Sequence, residues 1–312
     1  MRIVLLEFRG KRPGCSKWKG GYRMHDDSRV INRVFSAQVL DDLFSKGHSD
    51  VFDYAATKYV PKCEQKTVGE VFEDLYLYLQ QHQRNEYFYQ NTVFRSLLVR
   101  HHSPRTTVAF RQMRIGKIIA DFVMINGEGK AYELKSDLDN FERLEGQLCG
   151  YLSAFSYASV VVSEQQYERA IDVIDAMSDF GPSVGVYKLT KRHAISSICR
   201  NPQRYDGLLS HEALFKLLRK NEYEDVLLSV FHSLPKEQPV KMFRACLEWF
   251  SQLEITTAQQ LTMAKLKERR WATNHFPLEV PRELQSVVYF ADNRYDENQL
   301  RSLLSQRYQK RR

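Results

Sequence analysis

The sequence predicts an α/β sandwich of three layers, α/β/α, around a mixed sheet. Three observations predict it. Strand-like runs follow one another without a helix between Thr106 and Ser136. Two further strand-like runs, Ala158–Val162 and Gly185–Leu189, are each preceded by a helical pattern. Beyond about Asn201 strand signals nearly vanish and helical periodicity takes over. Successive strands can be antiparallel neighbours, whereas a strand reached through a helix calls for a crossover. The result is a mixed sheet, with helical additions at both ends of the chain.

The 312 residues suit one large domain or two smaller ones. Hydrophobic content of 43% is ample for a core, and charged content of 27% is ordinary. The net charge of +8 favours an anionic partner, of which nucleic acid is the commonest, but it speaks to association and not to fold. The five cysteines, at 15, 63, 149, 199 and 246, are scattered and form no Cys-x-x-Cys pair. They argue for reduced, structural thiols in a cytoplasmic protein and against a disulfide framework or zinc ribbon. The opening apolar run is too short for a signal peptide, and no run approaches a membrane span.

Taken in order, residues 1–30 give a short strand and then a segment with Lys11, Arg12, Lys17, Lys19 and Arg23, either a mobile basic arm or a solvated loop. Residues 31–82 read as helical. Thr67 with Glu70 forms a capping box before Val68, Val71, Phe72, Leu75 and Leu79, which recur at helical spacing. A second helix runs from Arg84 through Val93, Phe94, Leu97 and Leu98 to about His101, where Pro104 prevents its continuation. His101 and His102 are adjacent and cannot face one another on a helix, so they mark a helix end rather than a metal site.

Thr106–Arg114 reads as a strand, followed by a hairpin over 118–136. Ser136 and Asp137 are N-cap candidates for a helix from Leu138 to about Phe155, with Phe141, Leu144, Leu148, Leu152 and Phe155 as its buried stripe. Asp139, Arg143, Gln147 and Tyr151 share another face at four-residue spacing. A helix near Gln165–Met177 separates the last two strands. Helices are expected at Ser210–Lys220, Glu222–Ser233, Pro239–Leu253, Thr256–Arg270 and Glu297–Tyr308. Basic residues cluster at Lys265, Lys267, Arg269 and Arg270 beside Trp271, and at Lys310, Arg311 and Arg312. Such clusters either grip a phosphate backbone or line a solvated helix face.

The hairpin carries the candidate chemistry. Side chains alternate along a strand, so Glu133 and Lys135 point one way and Tyr132 and Leu134 the other. Loop length decides whether Asp121 joins the first pair, because a one-residue slip inverts a strand. A three-residue loop, Gly127-Glu128-Gly129, puts Asp121 opposite Lys135 and Val123 opposite Glu133, all on one face, and predicts a positive φ at Gly129. Two carboxylates about 4 Å apart repel by roughly 4 kcal/mol at an effective dielectric near 20. A shared proton or a divalent metal offsets that. Spacing alone does not separate such a site from ion pairs on an exposed face. A second Glu-x-Lys, Glu64-Gln65-Lys66, has similar spacing to Asp53 but lies beside Pro61 in polar sequence without a strand pattern.

Asp121, then Glu133-Leu134-Lys135, then Gln147-x-x-x-Tyr151 on the following helix, resemble the PD-(D/E)XK nuclease superfamily and its RecB-like branch. The wider text, Arg84-Asn85-Glu86-Tyr87 with Ala120-Asp121-Phe122 and Tyr132 to Asp137, is similar to an uncharacterised bacterial (sce-type) family within it. The resemblance implies a restriction-endonuclease-like core over 84–200, with a basic arm and helices over 1–83 and a helical region over 201–312. It implies Asp121 and Glu133 as ligands of Mg²⁺ or Mn²⁺, with the Leu134 carbonyl as an added ligand. Lys135 would position the attacking water or stabilise charge on the phosphate. Glu86 would assist metal or water, and Gln147 and Tyr151 would shape the site. Ala120 stands where the superfamily nominally has proline.

The function this implies is metal-dependent phosphodiester hydrolysis, in DNA rather than RNA, in defence against foreign DNA or in repair. The rival expectations are a non-catalytic nucleic-acid-binding module on the same fold, and a helical adaptor for a protein partner. No membrane partner is expected, and a homodimer is left open.

Overall fold

The computed structural model describes residues 27–82, 86–101, 106–137, 139–190, 194–196, 199–271, 280–292 and 294–310. The basic arm before residue 27, together with Arg84, Asn85, His102, Pro104, Leu138, Arg311 and Arg312, lies outside them.

Five strands form one mixed sheet in chain order: β1 (Val108–Ile115), β2 (Ile118–Asn126), β3 (Glu128–Leu134), β4 (Tyr157–Ser163) and β5 (Gly185–Leu189). The β1–β2 and β2–β3 pairs are antiparallel, and β3–β4 and β4–β5 are parallel. The parallel steps run through α6 (Leu144–Leu152) and α7 (Tyr167–Asp175), as strands reached through a helix require.

Each face of the sheet is covered by helices. On one side lie α1 (Asp27–Val34), α2 (Ala37–Lys46), α3 (Asp50–Tyr59), α4 (Val68–His82) and α5 (Glu86–Val93), with α12 (Gln285–Tyr289) and α13 (Glu297–Ser305) from the end of the chain. They pack on Ala109, Phe122, Met124, Tyr132, Leu134 and Val161. On the other side α6 and α7 join α8 (His211–Leu217), α9 (Lys220–Phe231), α10 (Pro239–Phe250) and α11 (Ile255–Trp271) over Val108, Val123, Ile125, Ala131, Val160 and Val162. Residues 280–308 thus share a core with the N-terminal helices.

The capping box forms as expected: the Thr67 N–H donates to Glu70 Oε2 at 2.6 Å and the Glu70 N–H to Thr67 Oγ1 at 3.2 Å. The second helix is α-helical only to Val93 and continues as a wider π-helical stretch over Phe94–His101. Two expectations near the hairpin need correction. The helix after β3 begins at Leu144, not Leu138, because Asp139 turns back to accept from the Ser136 N–H and hydroxyl at 2.7 and 2.6 Å. Asp139 is therefore not on the helical stripe, although Phe141, Leu144, Leu148, Leu152 and Phe155 are all buried. The hairpin is also tighter than expected. Asn126 pairs with Glu128, and the positive φ falls on Gly127, at 79°, not on Gly129. Gly129 serves packing instead, since a Cβ there would stand 2.4 Å from the Phe155 ring and 2.6 Å from Met263 Sδ.

Candidate functional site

Pairing between β2 and β3 ends at Phe122 and Tyr132, while β3 remains paired with β4 through Leu134 and Val161. One step beyond that last pair, the register sets Asp121 against Glu133 rather than against Lys135. The register differs from the expected one by two residues, and Asp121 still comes near enough to Glu133 to feel its charge.

The sheet is irregular at this point on both antiparallel strands. Phe110 and Met113 on β1, and Ala120 and Val123 on β2, pack into the same core. Strict alternation would put the members of each pair on opposite faces. The inversion falls at Gln112 and Asp121, between the facing pairs Arg111–Phe122 and Met113–Ala120. Gln112 absorbs it with a left-handed backbone, φ 51°.

Asp121 is thereby turned toward the end of β3. Its Oδ2 accepts the Leu134 N–H at 2.9 Å, and its Oδ1 lies 3.3 Å from Gln112 Nε2. The same amide nitrogen lies 3.4 Å from Glu86 Oε1 at the start of α5, which also accepts from Gln90 at 2.8 Å. Burial, and next the charge of Glu133, raise the Asp121 carboxyl to about 7, with Glu86 adding to the effect.

Glu133 and Lys135 are 3% and 8% exposed, so their charges must be matched locally. Lys135 Nζ stands 3.0 Å from Glu133 Oε1 and donates to Gln147 Oε1 at 3.0 Å. The other end of the Gln147 side chain donates to Glu133 Oε1. The Tyr151 hydroxyl lies between Glu133 Oε2 and the Ile119 carbonyl, 3.1 Å away, and its one proton serves one acceptor at a time. Burial, and then the charge of Glu133, push this phenol well above its ordinary range. Gly150 lets α6 come close enough for these contacts, since a Cβ there would stand 2.7 Å from Ile118.

Two hydrogen-bonded groups therefore meet at the end of β3: Glu86, Gln112 and Asp121 in one, and Glu133, Lys135, Gln147 and Tyr151 in the other. Leu134 enters the first through its N–H. Among the described residues no three His, Cys, Asp or Glu side chains stand close enough to hold a metal by themselves. The donor set nevertheless suits a hard cation. Among the described residues Asp121 Oδ1 has only a long amide contact, and burial and then the adjacent negative charge oppose ionisation of its carboxyl. The second Glu-x-Lys is a surface feature: Glu64 and Gln65 are exposed in a short turn, and Lys66 pairs with Asp74 at 2.6 Å.

Sequence reasoning missed Gln112 and its neighbour Arg111. A signal was present: apolar residues at Val108 and Phe110 and then at Met113 and Ile115 slip out of a two-residue period. The C-terminal basic cluster, by contrast, is largely committed within the fold. Lys265 pairs with Glu268 and Asp225 at 3.0 and 3.5 Å, Arg269 pairs with Glu222, and Arg270 is buried against Asp292 and the Tyr289 carbonyl. Cys63, Cys149, Cys199 and Cys246 are free thiols. No helix among the described residues is long and apolar enough to cross a membrane.

Fold and site together define a mixed α/β protein with a buried carboxylate–lysine cluster at the open end of a hairpin. The chain belongs to the family described as bacteriophage P4 protein cII, whose model matches residues 79–287 and so includes the whole cluster. Protein cII of Enterobacteria phage P4 is 27% identical over 164 residues, or 50% of this chain and 56% of that protein. The match thus spans little more than half of the relative's length. A protein of unknown function from Silicibacter pomeroyi resembles 48% of this chain over 94% of its own, at 13% identity and a TM-score of 0.29, which is too low to argue from.

Proposed function

We propose that the protein is a metal-dependent nuclease of PD-(D/E)XK type, acting on DNA rather than RNA, with a restriction-endonuclease-like core. The observation that carries this reading is the placement of Asp121 beside Glu133, with the Asp121 carboxyl raised to about 7 by burial and that neighbour's charge. Two acids in one largely buried place repel each other, and a cation would relieve their repulsion. The order of antiparallel hairpin, crossover helix and parallel strand also supports it.

Mg²⁺ or Mn²⁺ held by Asp121, Glu133 and the Leu134 carbonyl would neutralise phosphate charge and act as Lewis acid toward the attacking water. The chain's own residues prepare that chemistry. Lys135 keeps a fixed positive charge beside Glu133 Oε1, where charge grows on the phosphate. Gln147 and Tyr151 hold Glu133 by its two oxygens and fix its orientation. Glu86 is exposed at the mouth, where it can orient a water, and Gln112 couples it to Asp121.

A second reading has one observation in its favour. Glu133 is already satisfied by Lys135, Gln147 and Tyr151, as a purely structural ion pair would be. That suits a nucleic-acid-binding module without catalysis. Incubation of plasmid and single-stranded DNA with Mg²⁺ or Mn²⁺, with EDTA as control, separates the two. Wild type is expected to cut, and Asp121→Ala and Lys135→Ala are expected not to. Binding without cutting by wild type would favour the module, and undiminished cutting by Asp121→Ala would remove the assignment.

A further inference from the structure

Adjacent residues on a strand point to opposite faces. Arg111 and Gln112 do not: both line one cleft of about 380 Å³, with Glu86, Gln90 and Tyr87. The left-handed backbone of Gln112 makes this possible. A non-glycine residue in that region is strained, and such strain gathers where a side chain must be aimed.

What the strain achieves at Gln112 is the link between Glu86 and Asp121. What it brings beside that link is a guanidinium. Arg111 is exposed, and its guanidinium stands 5.3 Å from the centre of the Phe290 ring. Arg270 approaches the same ring at 5.6 Å. The two differ in their partners. Arg270 is paired with Asp292 and donates to the Tyr289 carbonyl. Arg111 makes no hydrogen bond or ion pair among the described residues. An aromatic face holds a guanidinium in position without using its five N–H groups. Partial burial lowers the Arg111 pKa, and the nearby Tyr87 and Glu86 offset this only in part. An arginine braced against a ring, open to a cleft and unpaired, is arranged to receive an anion, and its planar fork matches phosphate oxygens.

We propose that Arg111 is a substrate-binding residue that takes a phosphate of a nucleic-acid strand next to the one presented to Asp121 and Glu133. Gln112 is the positioning residue that sets the arginine and the carboxylates on one path. The choice of ligand rests on the nuclease reading, but the test does not.

The test measures binding of labelled single-stranded and duplex oligonucleotides in EDTA, where no metal-dependent cleavage occurs, across a salt series. Inorganic phosphate serves as a separate competitor. Arg111→Ala is expected to weaken binding about tenfold, the effect of one charge-assisted hydrogen bond. It should also reduce the slope of log Kd against log salt by about 0.7 on single strands or about 0.9 on duplex. Arg111→Lys should keep the slope and lose part of the affinity, and melting curves show whether each variant is folded. Unchanged affinity and slope in a folded Arg111→Ala protein overturn the proposal. So does a wild type that binds inorganic phosphate but neither oligonucleotide, or that binds none of the three. Binding that depends on Arg111 in a wild type that never cuts would sink the nuclease reading and leave this proposal standing. Cutting with a KM indifferent to Arg111→Ala would do the reverse.

Discussion

Gln112 and Asp121 face each other across β1 and β2 at the one place where both strands invert their alternation, and 3.3 Å separates the Gln112 amide from Asp121 Oδ1. Because both strands slip there, the register on either side is preserved and only the aim of the side chains changes. The sheet remains a continuous scaffold, and the acid is turned toward the gap where β2 and β3 part.

The first expected consequence concerns pH. The Asp121 carboxyl stands near 7 in the folded chain and near 3.9 when unfolded. Between those values the folded state holds a proton that the unfolded state has released. The stability this contributes is complete below about pH 4 and is lost as pH rises through 7. Three pKa units set an upper bound of about 4 kcal/mol, reduced by the partial exposure of the group. Asp121→Asn cannot ionise, so in EDTA it should gain on wild type between pH 5 and pH 8. Denaturant titrations at both pH values check this; an equal difference at the two would remove the raised carboxyl from the account.

Glu133 and Lys135 should respond unequally to neutralisation. Glu133→Gln leaves a buried ammonium without its counter-charge, which costs about 3–5 kcal/mol. Lys135→Met leaves a carboxylate still held by Gln147 and Tyr151, and should cost less, about 1–3 kcal/mol. The double variant should recover part of the first loss. Chemical denaturation of all four proteins gives the coupling energy, and simple additivity would show that the pair does not act as one.

Tyr151→Phe removes a single donor from Glu133 Oε2 and leaves that oxygen in a buried site. The expected destabilisation is about 1–3 kcal/mol. Cleavage should fall and not vanish, because Gln147 and Lys135 still hold the other oxygen. A variant as inactive as Asp121→Ala would mean that the phenol takes part in the chemistry itself.

Local rules made much of this legible. The strand Gly185–Leu189 begins and ends where its apolar run does, and the Thr67–Glu70 box follows from short-range hydrogen bonding. That Asp121 and Glu133 meet was legible from the hairpin despite a register two residues off, but the aim of Asp121 depends on the break in alternation at Gln112, which no parity rule foresees. What stayed hidden depends on distant partners. Arg269 looks free in sequence because Glu222 lies on another helix, and the start of α6 depends on Asp139 folding back to Ser136. The helix at Gln285–Tyr289 is too short to show a period, and no propensity announces a left-handed glutamine.

The last prediction joins metal to folding. A ligand that binds only the folded state stabilises it by RT ln(1 + [L]/Kd), or about 2.7 kcal/mol at a hundredfold excess over Kd. Mg²⁺ or Mn²⁺ should therefore raise the Tm, and EDTA should reverse the rise. The gain should be larger at pH 8 than at pH 5, because Asp121 must release its proton before it can act as a ligand, and its carboxyl stands near 7. Asp121→Ala should abolish the gain. Lys135→Met, which removes a competing cation from Glu133, should keep the gain or enlarge it while losing cleavage. That split between binding and turnover is what the assigned roles require: the carboxylates hold the ion, and the lysine serves the phosphate. A rise of Tm that is the same in Asp121→Ala and in wild type would place the ion elsewhere on the protein.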